Sequence, residues 1–433
     1  MQTSVEESST FLRFFSGKGT LLENFSVWSV NRKGNDKTLL LNYPTNIEPM
    51  KGTSDHITPS TEDLPDLSEP FFHIATLNPD DGIRILYSII FETKYEVKFR
   101  GTDRNVDILE NKLVVLAIQS KYFHPNVFQS ILFHLFNKLP SLEVVKLEDE
   151  LDVYLHPDYE ETLMSTNFTF LPSDLSPKAE IGRFHQFIFS ILRPNQILHL
   201  LLHLLFGTKI FVTSCFTTQL CFGCFSCLAI LYPLNWPNIF ITALPIHMIG
   251  TAGAPVPFII GLPFNLFYQP EMMDIEIDSL INLDFANFVM PNEPIIDQDI
   301  QTLIKIIENM LIDVLDEFKS TEIFPAHSIQ LILWQFIHGV LIISSGCKHC
   351  NLNDPNIKVV IANNIKTQKF QPNSISQYIA DSPVVGVYID KILEENVSQN
   401  MKQQSKNDIF DEFESVIRSR SMEKIMNIIR KKK

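Results

Sequence analysis

The sequence predicts an α/β protein of two modules, with a helical C-terminal part. Three observations predict it. Short apolar strands pair around turns in the first 120 residues, short strands alternate with helices between 195 and 343, and a Pro/Ser/Asp-rich stretch at 156–182 separates the two regions.

In the first region, Phe25–Val30 alternates like a strand. Lys33, Gly34 and Asn35 make a turn, and Thr38–Leu41 resumes strand character until Pro44 stops it. Residues 45–70 are rich in Pro, Ser, Thr and Asp and read as a loop or disordered insert. Phe72–Leu77 and Ile83–Glu92 flank the turn Asn78-Pro79-Asp80-Asp81-Gly82, which predicts a hairpin. Leu113–Ile118 is a wholly apolar strand. From Pro125 a helix carries Phe128, Ile131, Leu132, Leu135 and Phe136 on one face.

The second region opens near Ile181. Asn195 is the expected cap of a leucine-rich helix that Gly207 closes. A strand at Ile210–Val212, a helix from Thr218 to Leu231 ended by Pro233, and strands at Ile239–Thr242 and around Ile275–Leu283 follow. Residues 297–319 place Leu303, Ile307, Met310, Leu311, Val314, Leu315 and Phe318 at helical spacing. A further helix spans His327–Ile343, and the last 50 residues are helical and more polar. No internal repeat is present.

Composition narrows the function. Of 433 residues 45% are apolar and 34 are Phe, which requires a packed core. A net charge of −15 opposes general nucleic-acid binding, which needs cations to neutralise phosphate. The basic run Arg430, Lys431, Lys432 and Lys433 reads as solvated. The N-terminus has no basic start followed by an apolar stretch, and six sparse cysteines suit a reducing cytoplasm. Between Ile210 and Pro270 there is no Asp, Glu, Lys or Arg, a run long enough for two membrane spans. Six prolines and scattered Thr, Ser, Asn and Gln interrupt it, and no Lys/Arg asymmetry orients it, so a buried core is the expectation.

Motifs for chemistry are missing. Gly17-Lys18-Gly19-Thr20 lacks the upstream glycine of a phosphate-binding loop, and neither GxGxxG nor GxSxG occurs. His199 and His203 have zinc spacing, but only leucines stand between them. Cys221, Cys224 and Cys227 lie in an apolar helix and read as core, while Cys347 and Cys350 form a CxxC about 120 residues away. The acidic pairs at Asp80/Asp81, Glu148–Glu150 and Glu160/Glu161 read as solvated surface. No nucleophile, base and orienter assemble, so the expectation is an interaction protein with no cofactor and no metal.

One segment is more specific. It includes Thr213-Ser214, Leu231-Tyr232-Pro233-Leu234-Asn235-Trp236, Leu244-Pro245 and Ala254-Pro255-Val256-Pro257-Phe258-Ile259-Ile260-Gly261. Ile281-Asn282-Leu283-Asp284 and Pro291 follow. This resembles the central segment of DENN-domain proteins, with Asn282 standing where the family's signature has its first acid. The resemblance implies a longin-like upstream module at 21–155, a linker at 156–180, a central DENN module at 181–345 and a helical downstream DENN-like part at 346–433. It also implies guanine-nucleotide exchange on a Rab small GTPase in vesicle trafficking, in the cytoplasm with recruitment to vesicle or endosomal membranes. The alternative is a DENN-like scaffold that binds a GTPase or trafficking partner without exchange. Asp284, Asn287 and Trp236 are the candidate partner-binding residues, with core packing as the other reading of Trp236.

Overall fold

The computed structural model describes residues 20–431, apart from 32–35, 45–47, 50–52, 59–66, 68, 78–83, 95–96, 101–104, 109–111, 139–144, 147–150, 153–176, 291–295, 322, 371–373 and 400–407. Both expected turns, at Lys33–Asn35 and Asn78–Gly82, lie outside the described residues, as does Gly17-Lys18-Gly19.

The N-terminal region contains β1 (Asn24–Val30), β2 (Lys37–Tyr43), α1 (Thr53–His56), β3 (Phe71–Leu77), β4 (Arg84–Glu92), β5 (Val97–Arg100), β6 (Asn105–Ile108), β7 (Leu113–Ser120), α2 (Pro125–Lys138) and β8 (Val145–Lys146). The main sheet is antiparallel, in the order β2-β1-β7-β4-β3, and β6-β5-β8 form a small second sheet. β7 explains why its sequence shows no polar alternation. Val114, Leu116 and Ile118 point to the α2 side, and Leu113, Val115 and Ala117 to the other. Both faces of this sheet are therefore covered, and both select apolar residues. Tyr87 stacks on Phe128 of α2 at 4.3 Å on the first face.

The covering of the second face is a departure from the loop expected at 45–70. There the single turn α1 and buried Ile57 sit on the sheet. His73 Nε2 lies 3.0 Å from the His56 carbonyl, and Ser88 Oγ donates to the Ile57 carbonyl at 3.0 Å. The Pro- and Asp-rich composition concealed a turn whose ordering comes from hydrogen bonds to the sheet.

The central region runs α3 (Pro177–Ile191), α4 (Pro194–Phe206), β9 (Lys209–Ser214), α5 (Thr217–Leu231), β10 (Ile239–Ile241), β11 (Phe258–Pro263), β12 (Ser279–Asn282) and β13 (Asn287–Val289). Its sheet has the order β10-β11-β9-β12-β13, with β13 antiparallel to β12 and the other pairings parallel. Three local expectations change. α4 begins at Pro194, with Arg193 and not Asn195 at its cap, because proline's fixed φ suits the first helical position. The Arg193 backbone N–H donates to Gln196 Oε1 at 3.0 Å. α3 already begins at Pro177, inside the stretch read as a linker. β11 overlaps the motif Ala254–Gly261, and prolines at both ends of it conceal a central strand. Gly207 does close α4, with φ +66°.

α5 lies between the two regions. Twelve of its 15 residues are buried, so it has no polar face, the pattern of a helix enclosed on all sides. One side meets β9 and β11, and another meets β3, where Cys221 Sγ stands 3.3 Å from the Ile74 carbonyl. The Thr242 backbone N–H donates to Thr76 Oγ1 at 3.1 Å. Phe123 stacks on Phe225 at 3.8 Å, with Phe184 5.9 Å from Phe225. Phenylalanines thus weld the antiparallel sheet, α3 and α5 into one continuous core. The charge-free run 210–270 becomes strands and enclosed helix. Burial pushes the Cys221 and Cys227 thiols up to about 12, which suits small apolar side chains and not reactive thiols.

The remaining helices are α6 (Gln298–Thr321), α7 (Ala326–Ser344), α8 (Ile357–Thr367), α9 (Ile375–Asp381), α10 (Pro383–Gln399), α11 (Asp408–Ser415) and α12 (Arg420–Lys431). Among the described residues, α7 is the one helix long and apolar enough to cross a membrane, and 72% of that stretch is buried inside the protein. Phe413 of α11 inserts between α7 and α10, 5.4 Å from Trp334, 4.1 Å from His338 and 5.8 Å from Tyr388.

Two predictions follow from this packing. A Cβ at Gly261 would stand 1.9 Å from the Thr242 carbonyl oxygen, which is backbone and cannot swing away. Gly261→Ala is expected to cost more than about 2 kcal/mol in urea unfolding. Burial holds His73 at about 3 and His124, His185, His203 and His338 at about 4, so these rings are neutral when folded. The unfolded chain binds more protons below its histidine pKa near 6.5. Stability is therefore complete above pH 6.5 and falls as pH drops toward 4, by about 1.4 kcal/mol per pH unit for each such histidine. A urea midpoint that does not fall between pH 7 and 5 would contradict this.

Candidate partner-binding site

The parallel strands of the central sheet share a direction, so their C-terminal ends share an edge. Pro263 lies opposite Ser214 and Asn282 opposite Thr213, which brings Phe264, Cys215 and the β12–β13 turn together. In open α/β sheets this carboxyl edge is where binding surfaces form, because loops there are free of the ladder.

The β12–β13 turn, Leu283 to Ala286, is built by local chemistry. Asn282 pairs with Asn287 across the hairpin. Asn282 Oδ1 accepts from the Phe285 backbone N–H at 3.1 Å, an Asx-type turn. Ala286 sits at φ +50°, a conformation that costs a residue with Cβ about 1 kcal/mol. The side-chain oxygen does the structural work at position 282, so asparagine serves there without charge.

Asp284 holds the turn against the end of β9. Its Oδ1 accepts from Ser214 Oγ at 2.7 Å and its Oδ2 from the Cys215 backbone N–H at 2.7 Å. Ser214 Oγ in turn accepts from the Phe216 N–H at 3.0 Å. The carboxylate thus stands at the N-terminus of α5, where the helix dipole favours negative charge. Desolvation, then the nearby Asp284 carboxylate, raises the Cys215 thiol above its ordinary pKa.

This network displays apolar groups to solvent. Phe285 is 73% exposed, Tyr268 64% and Phe216 61%. Phe264, half-buried, lies 5.2 Å from Tyr268 and 6.5 Å from Phe285, so these three rings form one cluster. Exposed aromatics grouped beside a carboxylate are unusual on a surface that serves only solubility, and they match the composition of interface anchors.

Of the three sequence candidates, Asp284 and Asn287 lie together on this edge, both exposed. Trp236 does not join them. It precedes β10, whose first residue lies opposite the first residue of β11, at the other end of the strands. It is 4% exposed, and its Nε1 donates to the Ile239 carbonyl at 3.2 Å. Trp236 therefore packs the core. Phe216, Tyr268 and Phe285 went unnoticed in the sequence, where 34 phenylalanines disguise the few that face outward. A signal is available, since Phe216 and Phe285 sit two and three residues beyond a strand end.

Neither sequence candidate for metal binding gathers ligands. His203 is buried, with Nδ1 3.2 Å from Thr208 Oγ1, and Cys347 is buried while Cys350 is half-buried. Among the described residues no group of three or more His, Cys, Asp or Glu could hold a metal ion.

With the fold and this edge described, comparison with known proteins narrows the class. The DENN (AEX-3) domain model matches residues 161–287, from α3 through the β12–β13 turn. DENN domain-containing protein 1B of Mus musculus is 26% identical over 171 residues, 37% of this chain and 22% of the relative. DENN domain-containing protein 1A of Homo sapiens is 27% identical over 97 residues, 22% of this chain and 10% of the relative. Elicitor of plant defense protein 1 of Fusarium odoratissimum (strain NRRL 54006) is 32% identical over 99 residues, 22% of this chain and 11% of the relative. These matches thus span well under half of the relatives' own length. Residues 161–287 are therefore similar to the DENN domain.

Removing the Asp284 carboxylate tests the network. Asp284→Ala is expected to cost about 1 kcal/mol, because the exposed Cys215 N–H turns to water and the buried Ser214 Oγ can still donate to Gln219 Oε1 at 3.1 Å. It should also speed alkylation of Cys215, since a charge that disfavours the thiolate is gone. An unchanged alkylation rate would show that the carboxylate does not act on this thiol.

Proposed function

We propose that the chain is a guanine-nucleotide exchange factor for a Rab small GTPase, acting in membrane trafficking. The observation that carries this is the Phe264–Tyr268–Phe285 cluster beside Asp284, with exposed Phe216 at the start of α5, inside the segment that matches the DENN domain. The reading treats that edge as the contact for the GTPase switch regions, with the antiparallel sheet of residues 21–155 as a longin-like partner module.

Exchange by this route needs no side chain that makes or breaks a bond. A factor that binds the nucleotide-free GTPase more tightly than the loaded form lowers the cost of nucleotide release by that difference in affinity. Aromatic anchors supply contact area at low entropy cost, and Asp284 supplies charge for a cationic group or backbone amide on the partner. A rigid edge is useful here, because the surface must hold a switch segment in a conformation that the nucleotide opposes. The Asn282 and Asp284 hydrogen bonds and the buried strands β9, β11 and β12 provide that rigidity.

The test is release of a fluorescent GDP analogue from a panel of purified Rab proteins, with and without the full chain. Acceleration of one or two Rabs supports the proposal and names the substrate. Phe285→Ala should slow release at limiting concentration by about 10-fold while leaving the unfolding midpoint unchanged, since the ring is exposed. Acceleration that survives Phe285→Ala would move the contact elsewhere. If no Rab is accelerated and a GTP-loaded Rab is retained on the immobilised chain, the protein is a scaffold and not an exchange factor.

A further inference from the structure

Residues 418–433 contain Arg418, Arg420, Lys424, Arg430, Lys431, Lys432 and Lys433 against the single carboxylate Glu423, in a chain whose net charge is −15. The structure shows how the described part of this charge is presented. The helix α12 buries Met422, Ile425, Met426 and Ile429 against α6 and α7. Arg430 is committed to holding it there. Its Nε donates to the Lys348 carbonyl, its Nη2 to the Cys350 carbonyl at 3.0 Å and its Nη1 to Asn427 Oδ1 at 3.2 Å. The apolar face is thus spent on the core, and the opposite face is fixed outward.

That outward face is a line. Arg420, Lys424, Ile428 and Lys431 follow at spacings of four, four and three, the repeat of a single helical stripe about 16 Å long. All four are exposed, and Ile428 keeps 45% of its surface in water at the centre of the stripe. No carboxylate lies within ion-pair reach of Arg420, Lys424 or Lys431 among the described residues. Elsewhere in the same helical region some cations are paired, Lys348 with Asp299 at 2.5 Å and Lys366 with Asp390 at 2.6 Å.

We infer that the outer stripe of α12 is a docking surface for an anionic lipid bilayer. Charge complementarity favours it, since clustered Lys and Arg on a helix lying along a surface attract phosphatidylserine-type headgroups. The central Ile428 adds an apolar side chain at the depth where headgroups meet acyl chains. Single-stranded nucleic acid is the less fitting polyanion, because its recognition relies on aromatic stacking and residues 418–433 contain no aromatic side chain. The face differs from the aromatic edge proposed to meet a GTPase, and its use does not depend on that proposal.

The test is sedimentation of the full chain with vesicles of phosphatidylcholine alone or of phosphatidylcholine containing phosphatidylserine. Binding is expected only with phosphatidylserine and should weaken as salt rises. The triple variant Arg420→Gln, Lys424→Gln, Lys431→Gln should bind about 100-fold more weakly, at about fivefold per cation, with an unchanged thermal midpoint. Ile428→Ser should weaken vesicle binding and leave any retention on single-stranded RNA unaffected. Absence of vesicle binding, or binding unaltered in the triple variant, overturns the inference. Retention on RNA with no binding to vesicles overturns it in favour of nucleic acid.

Discussion

Enclosure of the helix Thr217–Leu231 is the constraint on which the rest of the molecule depends. The helix has no charged residue and buries 12 of its 15, so it is stable only if other elements cover every side. The central sheet covers one side and α3 another. The antiparallel sheet supplies the third through β3, in contact at Ile74 and Thr76. Removing either sheet would expose a large apolar surface, so the two regions fold as one core although their topologies differ. The phenylalanine content follows from the same demand, since Phe123, Phe184, Phe222 and Phe225 fill the junction between them.

The same enclosure aims the candidate binding edge. α5 starts directly after β9, so its N-terminus opens on the carboxyl end of the sheet and offers free backbone N–H groups there. Asp284 satisfies one of the nearby groups and ties the hairpin turn to the end of β9. With the turn's backbone held by these hydrogen bonds, Phe285 stands in solvent. The aromatic surface is therefore a consequence of polar satisfaction around it. That is also why an exposed cluster can persist without collapsing onto the core. The helical C-terminal region repeats the logic on a different scale. Phe413 and Arg430 fix α11 and α12 in position, and the polar residues left over are presented as an ordered stripe.

Much of the architecture was legible in the sequence because burial writes its period there. The heptad-like run from Leu303 to Phe318, the continuous apolar strand at Leu113–Ile118 and the αL glycine at 207 each follow from a local rule. The pattern Leu231 to Trp236, with Ala254 to Gly261, carried the resemblance to DENN proteins, and the domain match contains it. Asp284 and Asn287 belong to the same pattern and share one edge. Trp236 belongs to it as well and lies at the opposite end of the strands, buried.

The difference between these outcomes has a physical reason. Periodicity reports which face of an element is apolar, and a buried sheet or helix must show it, so the sequence by itself determined most of the elements and the apolar class of the core. Whether a given aromatic faces inward or outward depends on what lies beyond its strand end. That is decided by register and connection. Only the tertiary structure could put Trp236 in the core at one end of the strands and Phe285 in solvent at the other, order residues 53–57 on a segment that composition marks as loop, and leave one side of α12 without a paired carboxylate among the described residues.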